Sequence, residues 1–144
     1  VRENTDELLN HIDIAVVSER FCQQLGKSVG DTLEYLRSKN CPVGAVTLGE
    51  HGMVWYEAGG PDKVMPSLAV PLEMVVDSNG AGDVFHGAYI ASYLHWPERS
   101  WDQHFHFARG ASTHAIQHLG NEASLPTMED IERANASFPE KIAA

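Results

Sequence analysis

Cysteine is nearly absent from this chain of 144 residues, with Cys22 and Cys41 the whole complement. Two thiols cannot frame a disulfide scaffold, so a reducing, cytoplasmic setting is expected. Long apolar runs are also missing, and no stretch approaches the roughly 20 residues that a membrane span needs. Positive charge is scarce: ten Lys and Arg stand against twenty Asp and Glu, for a net charge of −10. With the basic residues scattered, that balance excludes a chain built to neutralise a nucleic-acid backbone, and any phosphate it binds must be held locally. The opening run Val1-Arg2-Glu3-Asn4-Thr5-Asp6 lacks an initiator Met and the basic and apolar regions of a signal peptide, so the start reads as cut.

What remains is ordinary for a soluble globular protein: 43% hydrophobic and 21% charged residues. At this length folding buries roughly two-thirds of the extended chain's surface, enough for one core. Apolar periodicity predicts helices over 6–12, through Phe21 and Leu25 to a stop at Gly26, and over 30–39, with Leu33 and Leu36 on one face and Asn40 at the cap position. Strands are expected at 13–17, 43–48 and 52–57, the last two flanking the turn Gly49-Glu50-His51-Gly52 as a hairpin. A short strand over 63–68 is held to a sheet edge by Pro66 and Pro71, and 73–76 is expected to be a strand feeding a glycine loop. Helical patterns follow at 81–95, where Phe85, Ala88 and Ser92 share a spacing, at 101–118, and at 128–136. Strands joined by crossover helices predict a layered α/β protein with a largely parallel sheet and helices on both faces.

The chemistry concentrates in Asp77-Ser78-Asn79-Gly80-Ala81-Gly82-Asp83. A loop that opens a helix leaves first-turn amides unpaired and aimed outward, which makes an anion site. Gly80 and Gly82 carry no Cβ, so backbone and ligand can approach closely. Asp83 falls in the first helical turn, where the dipole favours negative charge. A carboxylate beside bound phosphate is repelled unless it faces the attacking hydroxyl and takes its proton while the amides stabilise the phosphoryl oxygens. The plain alternative is a tight turn with a favourable charge at a helix start. Two rival motifs fail: Gly26-Lys27-Ser28 ends like a P-loop but has Phe21 where the first glycine belongs, and Phe85 stands where a dinucleotide fingerprint needs its third small residue.

Asp77 to Asp83, continued by Val84-Phe85-His86-Gly87-Ala88, resembles the C-terminal signature Asp-Thr-x-Gly-Ala-Gly-Asp of the ribokinase (PfkB-type) carbohydrate kinase family. Thr47-Leu48-Gly49-Glu50-His51-Gly52 is similar to that family's nucleotide turn Thr-Leu-Gly-x-x-Gly, upstream and in the right order. The resemblance runs from Leu8 to Ser124 and implies a ribokinase-like α/β/α fold, of which this chain is the C-terminal, nucleotide-binding part. It implies an ATP-dependent sugar kinase with Asp83 as base, the Gly80, Ala81, Gly82 and Asp83 amides as anion hole, and Thr47, Gly49 and Gly52 flanking ATP. Ser18 heads Ser18-Glu19-Arg20-Phe21, which stands where relatives carry Asn-x-x-Glu near magnesium and phosphate; Ser18 is assigned to the nucleotide, and Mg2+ is expected with ATP. A monovalent cation such as K+ would use Asp77, Asn79, Ala115, His118, Gly120 and the Ser124 hydroxyl. The resemblance further implies a sugar substrate, most of whose contacts lie in an N-terminal half not found in this chain, and leaves a homodimer open for the full-length protein.

Eight histidines invite a metal reading. His114 and His118 are four apart, a spacing that can bring two imidazoles to one ion, yet no Glu follows His114 and no third ligand is evident. His104 and His106 alternate, and His86 lies one turn beyond the proposed base, so it could touch substrate or simply pack. Trp96 and Trp101 bracket a Pro-containing loop and read as aromatic anchors. Besides the sugar kinase, a catalytically silent nucleotide-binding regulator of the same fold and a nucleoside kinase are the alternatives. A vitamin-type kinase fits less well, because the loop reads Gly-Ala-Gly instead of Gly-Thr-Gly.

Overall fold

The computed structural model describes residues 4–120 and 122–142. Val1 to Glu3, which carry part of the reading of a cut start, and Asn121, inside the Gly120-to-Ser124 element, lie outside the described residues. The chain forms two compact units, one running to Ser67 and the other covering Leu68–Ile142.

The first unit contains α1 (Thr5–Leu9), β1 (Ile14–Ser18), α2 (Glu19–Leu25), α3 (Val29–Ser38), β2 (Val43–Thr47), a 3-10 turn (Gly49–His51), β3 (Met53–Glu57) and β4 (Lys63–Met65). The four strands lie in sequence order in one sheet. The layered α/β class is as expected, but the sheet within these residues is mixed instead of largely parallel. Only β1 and β2 run parallel, from Ile14 opposite Val43 to Ser18 opposite Thr47, while β2–β3 and β3–β4 are antiparallel. Connection length is the physical reason: α2 and α3 give β1 the crossover that a parallel neighbour requires, whereas short turns join only antiparallel strands.

Local chemistry sets the boundaries. Gly26 at φ 64° ends α2, and Ser28 begins α3 by accepting the Asp31 amide at 3.1 Å. Gly26-Lys27-Ser28 is therefore a helix–helix joint, which accounts for its resemblance to a phosphate loop without a phosphate. Asn40, at φ 61°, turns the chain after α3 as its position predicted. Helix α1 stops at Leu9 instead of residue 12, because the amides of Asn10, His11 and Ile12 fall back to carbonyls three residues earlier.

Leu33 and Leu36 of α3 are fully buried against Ala15, Cys22, Val46 and Tyr56. Each such leucine contributes roughly 1.5–3 kcal/mol by leaving water. The Tyr56 ring lies across Gly44, where a Cβ would come within 2.3 Å of it, and its hydroxyl donates to the Cys41 carbonyl at 2.9 Å. Burial pushes that phenol up to about 12. Gly44→Ala would force the ring out of the core. Cys22 and Cys41 are both buried free thiols.

The second unit contains a 3-10 turn (Leu72–Met74), α4 (Ala81–His95), α5 (Trp101–Ala115) and α6 (Met128–Ser137). The strand expected at 73–76 does not form. The amides of Val76 and Asp77 both reach the Ile116 carbonyl, at 2.8 and 3.2 Å. Successive amides in a strand point to opposite sides, so two converging on one oxygen mark a loop anchored to another loop. Helix α5 ends at Ala115 instead of residue 118, as Gln117 and His118 close tighter bonds to His114 and Ala115.

Helix α4 buries Phe85, Tyr89 and Ser92 and leaves Ile90, Tyr93 and Leu94 exposed, with Ala88 half-buried. Phe85 stacks on Phe105 of α5 at 6.1 Å. Trp101 stacks on Tyr93 at 5.3 Å, and Trp96 meets Phe107 at 5.7 Å, so both tryptophans anchor the α4–α5 connection as expected. The buried Ser92 hydroxyl and His104 Nδ1, 2.9 Å apart, tie the same two helices. Helices α5 and α6 approach closely at Gly110, where a Cβ would meet Asn135 Nδ2 at 2.3 Å. Reciprocal capping boxes, Ser100 with Gln103 and Thr127 with Asp130, start α5 and α6.

Candidate active site

In the first unit, Ser18 and Thr47 are register partners at the carboxyl ends of the parallel pair. Ligands of α/β sheets gather at that end of the strands. The Thr47 hydroxyl donates to the Val17 carbonyl at 3.3 Å, and Ser18 is the residue from which α2 starts. The turn after Thr47 closes through the Leu48 amide and the Gly52 carbonyl at 2.8 Å. Gly49 and Gly52 hold φ of 58° and 87°, and a Cβ on Gly52 would lie 2.1 Å from the Met65 carbonyl. The fold brings together Ser18, Thr47, Gly49 and Gly52, the residues assigned to the nucleotide.

In the second unit, Gly80, at φ 78°, turns the chain into α4, and no side chain caps the helix start. Ala81, Gly82 and Asp83 form the first turn, with Gly82 and Asp83 exposed. Nothing lies within 4 Å of where a Gly82 Cβ would be. The Ala81 amide donates to the Ser78 carbonyl at 3.4 Å, and a first turn with no side-chain cap, open at Gly82 and carrying a carboxylate, is an arrangement suited to a phosphoryl group and an attacking hydroxyl. The loop follows an irregular segment instead of a strand, so its shape comes from its own bonds. Asp77 Oδ1 accepts the Asn79 amide at 2.9 Å, and Asp77 Oδ2 accepts the Gly120 amide at 3.4 Å.

Of the residues assigned to a monovalent cation, Asp77, Asn79 and Gly120 are joined by those bonds, and Ser124 is buried. The Ala115 carbonyl accepts the His118 amide at 3.1 Å, and His118 sits in the turn between Ala115 and Gly120. One carboxylate among main-chain and hydroxyl oxygens is a donor set suited to a weakly hydrated monovalent cation and fits K+ in chemistry. Among the described residues no group of three or more His, Cys, Asp or Glu converges to hold a metal. The Ile116 carbonyl, which anchors Val76 and Asp77, was not expected from sequence, since a main-chain acceptor leaves no sequence trace.

The histidines resolve into local roles. His114 and His118 stack at 4.1 Å, and His118 Nδ1 turns back to the His114 carbonyl at 2.9 Å instead of converging with His114 on an ion. Burial, and next the neighbouring His118, hold the His114 imidazole below its ordinary range. His86 Nδ1 meets the Gly82 carbonyl at 2.8 Å, and His106 bonds the Asp102 carbonyl in the same way. The repetition makes the His86 bond a helix-local feature, though it falls on the carbonyl of an anion-loop residue.

The model of the pfkB family of carbohydrate kinases matches residues 1–128. The chain belongs to that family. Among curated relatives, the ribokinase of Lactococcus lactis is 26% identical over 131 residues, covering 91% of this chain and 41% of its own length. The cytidine kinase of Thermococcus kodakarensis is 28% identical over 94 residues, covering 64% of this chain and 33% of its own. The structure of Arabidopsis thaliana ribokinase complexed with ribose and ATP superposes with a TM-score of 0.68 at 25% identity, over 90% of this chain and 43% of that one. The chain thus spans a third to under half the length of these pfkB-type relatives, with a ribokinase-like fold. No described helix is long and apolar enough to cross a membrane.

Proposed function

We propose that this chain carries the phosphoryl-transfer part of an ATP-dependent sugar kinase. The observation that carries the reading is the uncapped, open first turn of α4, in which Gly82 and Asp83 are exposed beyond the left-handed Gly80. The Gly80 to Asp83 amides receive the transferring phosphoryl oxygens, and the Asp83 carboxylate takes the proton of the acceptor hydroxyl. Ser18, Thr47, Gly49 and Gly52 flank the nucleotide. Mg2+ would be supplied together with ATP. A monovalent cation would be held by Asp77, Asn79, Ala115, His118, Gly120 and Ser124, where its charge would offset that of the anion. Most of the acceleration comes from positioning and electrostatics, because phosphoryl transfer asks little covalent chemistry of the protein.

Family membership and relatives that are ribokinases support the sugar class. A nucleoside acceptor is the second reading, favoured by the cytidine kinase relative. The test is ADP release by the kinase polypeptide that carries these residues, across a panel of sugars and nucleosides. Sugar-dependent release supports the first reading and nucleoside-dependent release the second. Release with neither contradicts both. Residues 1–144 alone are expected to bind nucleotide weakly and turn over slowly or not at all, so rapid sugar-dependent turnover by them would overturn the view that they hold part of the site.

A further inference from the structure

We infer that Asp77 is a positioning residue, whose two carboxylate oxygens fasten the anion loop to the turn that follows α5. The role of that loop rests on the function proposed above. The fastening rests on geometry alone.

Four hydrogen bonds meet at this point. The Val76 and Asp77 amides donate to the Ile116 carbonyl at 2.8 and 3.2 Å. Asp77 Oδ1 accepts the Asn79 amide at 2.9 Å, bending the chain just ahead of Gly80. Asp77 Oδ2 accepts the Gly120 amide at 3.4 Å across a separation of 43 residues. The loop has no strand behind it and no side-chain cap on its helix, so the direction of its amides depends on how residues 77–80 are held. One half-buried side chain contributes to that by holding Asn79 on one oxygen and Gly120 on the other. An ionised acceptor is the stronger kind for this task, since bonds to charged groups contribute more than neutral ones. Asp77 thereby orients the Gly80 to Asp83 amides without touching phosphate.

Its role predicts a graded pattern on substitution. Asp77→Ala removes both acceptors; Asp77→Asn keeps one carbonyl oxygen and so holds one amide but not both. In solvent-exchange NMR on the chain, Asp77→Ala should speed exchange of the Asn79 and Gly120 amides together, by roughly tenfold or more if each bond to the carboxylate has ordinary strength. Asp77→Asn should spare one of the two, and Asp62→Ala, which removes the same charge elsewhere, should leave both unchanged. In parallel, ATP affinity measured by calorimetry should fall in the order wild type, Asp77→Asn, Asp77→Ala. In the kinase polypeptide the loss should fall on kcat more than on KM for the sugar. Unchanged exchange of both amides in Asp77→Ala overturns the inference, as does an Asp77→Ala defect fully repaired by added potassium, which would make the carboxylate a cation ligand only. If wild type binds no ATP, the proposed function fails, while the exchange data still decide the clamp. Should Asp77→Ala fail to fold, Asp77→Asn alone decides: one amide released supports the clamp, and none released contradicts it.

Discussion

The two glycine turns look alike in sequence and differ in what surrounds them. At Gly52 a Cβ would sit 2.1 Å from one backbone carbonyl and 2.8 Å from the Ser67 amide, at φ 87°. At Gly82 a Cβ would meet nothing within 4 Å, and φ is not in the left-handed region. The first glycine is demanded by the fold, because the turn is pressed against the chain leaving β4. The second is not needed to close any backbone contact, so the space above it is available to a ligand. A glycine with no structural need, exposed in the first turn of a helix that no side chain caps, is the stronger indication of chemistry.

The largest effect expected bears on the second turn. Asp83→Asn in the kinase polypeptide should lower kcat by about 10²–10⁴, the usual share of a general base, with ATP affinity little changed. Steady-state kinetics with calorimetry checks it, and near-normal kcat would remove Asp83 from the mechanism. Next is Gly52→Ala, which should destabilise the first unit by about 3 kcal/mol or more, since backbone on both sides cannot yield. A thermal melt reads this directly; an unchanged melting temperature would mean the turn is looser than its geometry.

Gly82→Ala sharpens the contrast. Because alanine is the better helix former, stability should hold or rise by up to about 1 kcal/mol. Turnover should nevertheless fall, as the new methyl enters the space assigned to phosphate. Loss of stability with unchanged turnover would reverse the assignments of the two turns. The smallest effect is a pH dependence. Burial, and next the charge of Arg99, hold the His104 imidazole below its ordinary 6.5, so the folded state prefers it neutral. Its contribution to stability is complete above that value and is lost as pH falls below 6.5 toward the depressed folded pKa. His114 is shifted in the same direction. Melting temperature should decline across that acidic window in wild type and less steeply in His104→Gln. Equal slopes would contradict the burial argument.

Much of this was legible in the sequence, for reasons particular residues make plain. The helix boundaries at Gly26 and Asn40 were readable because left-handed caps have a residue signature. The 81–95 helix was readable because its glycine start and apolar spacing agree. Three features were not. Residues 73–76 carry strand-like side chains, but the Met74 and Val75 amides close a local turn and the Val76 amide goes to Ile116, 40 residues downstream, and no local pattern encodes that. The β2–β3 hairpin was readable from its glycine turn, but that antiparallel pairs outnumber the parallel one depended on pairing partners, not strand propensities. The tie between Asp77 and Gly120 joins a side chain to a main-chain amide whose presence any residue but proline could supply. Family motifs pointed to the candidate site; only geometry separated Gly52, which the fold needs, from Gly82, which it does not.

The central claim is that the first turn of α4 receives phosphate, and amide chemical-shift mapping of the chain during an ATP titration tests it most directly. The expected result is saturable movement of the Ala81, Gly82 and Asp83 amides together with those of the Gly49 to Gly52 turn. Shifts confined to the Gly49–Gly52 turn, or absent from both turns at saturating ATP, would contradict it.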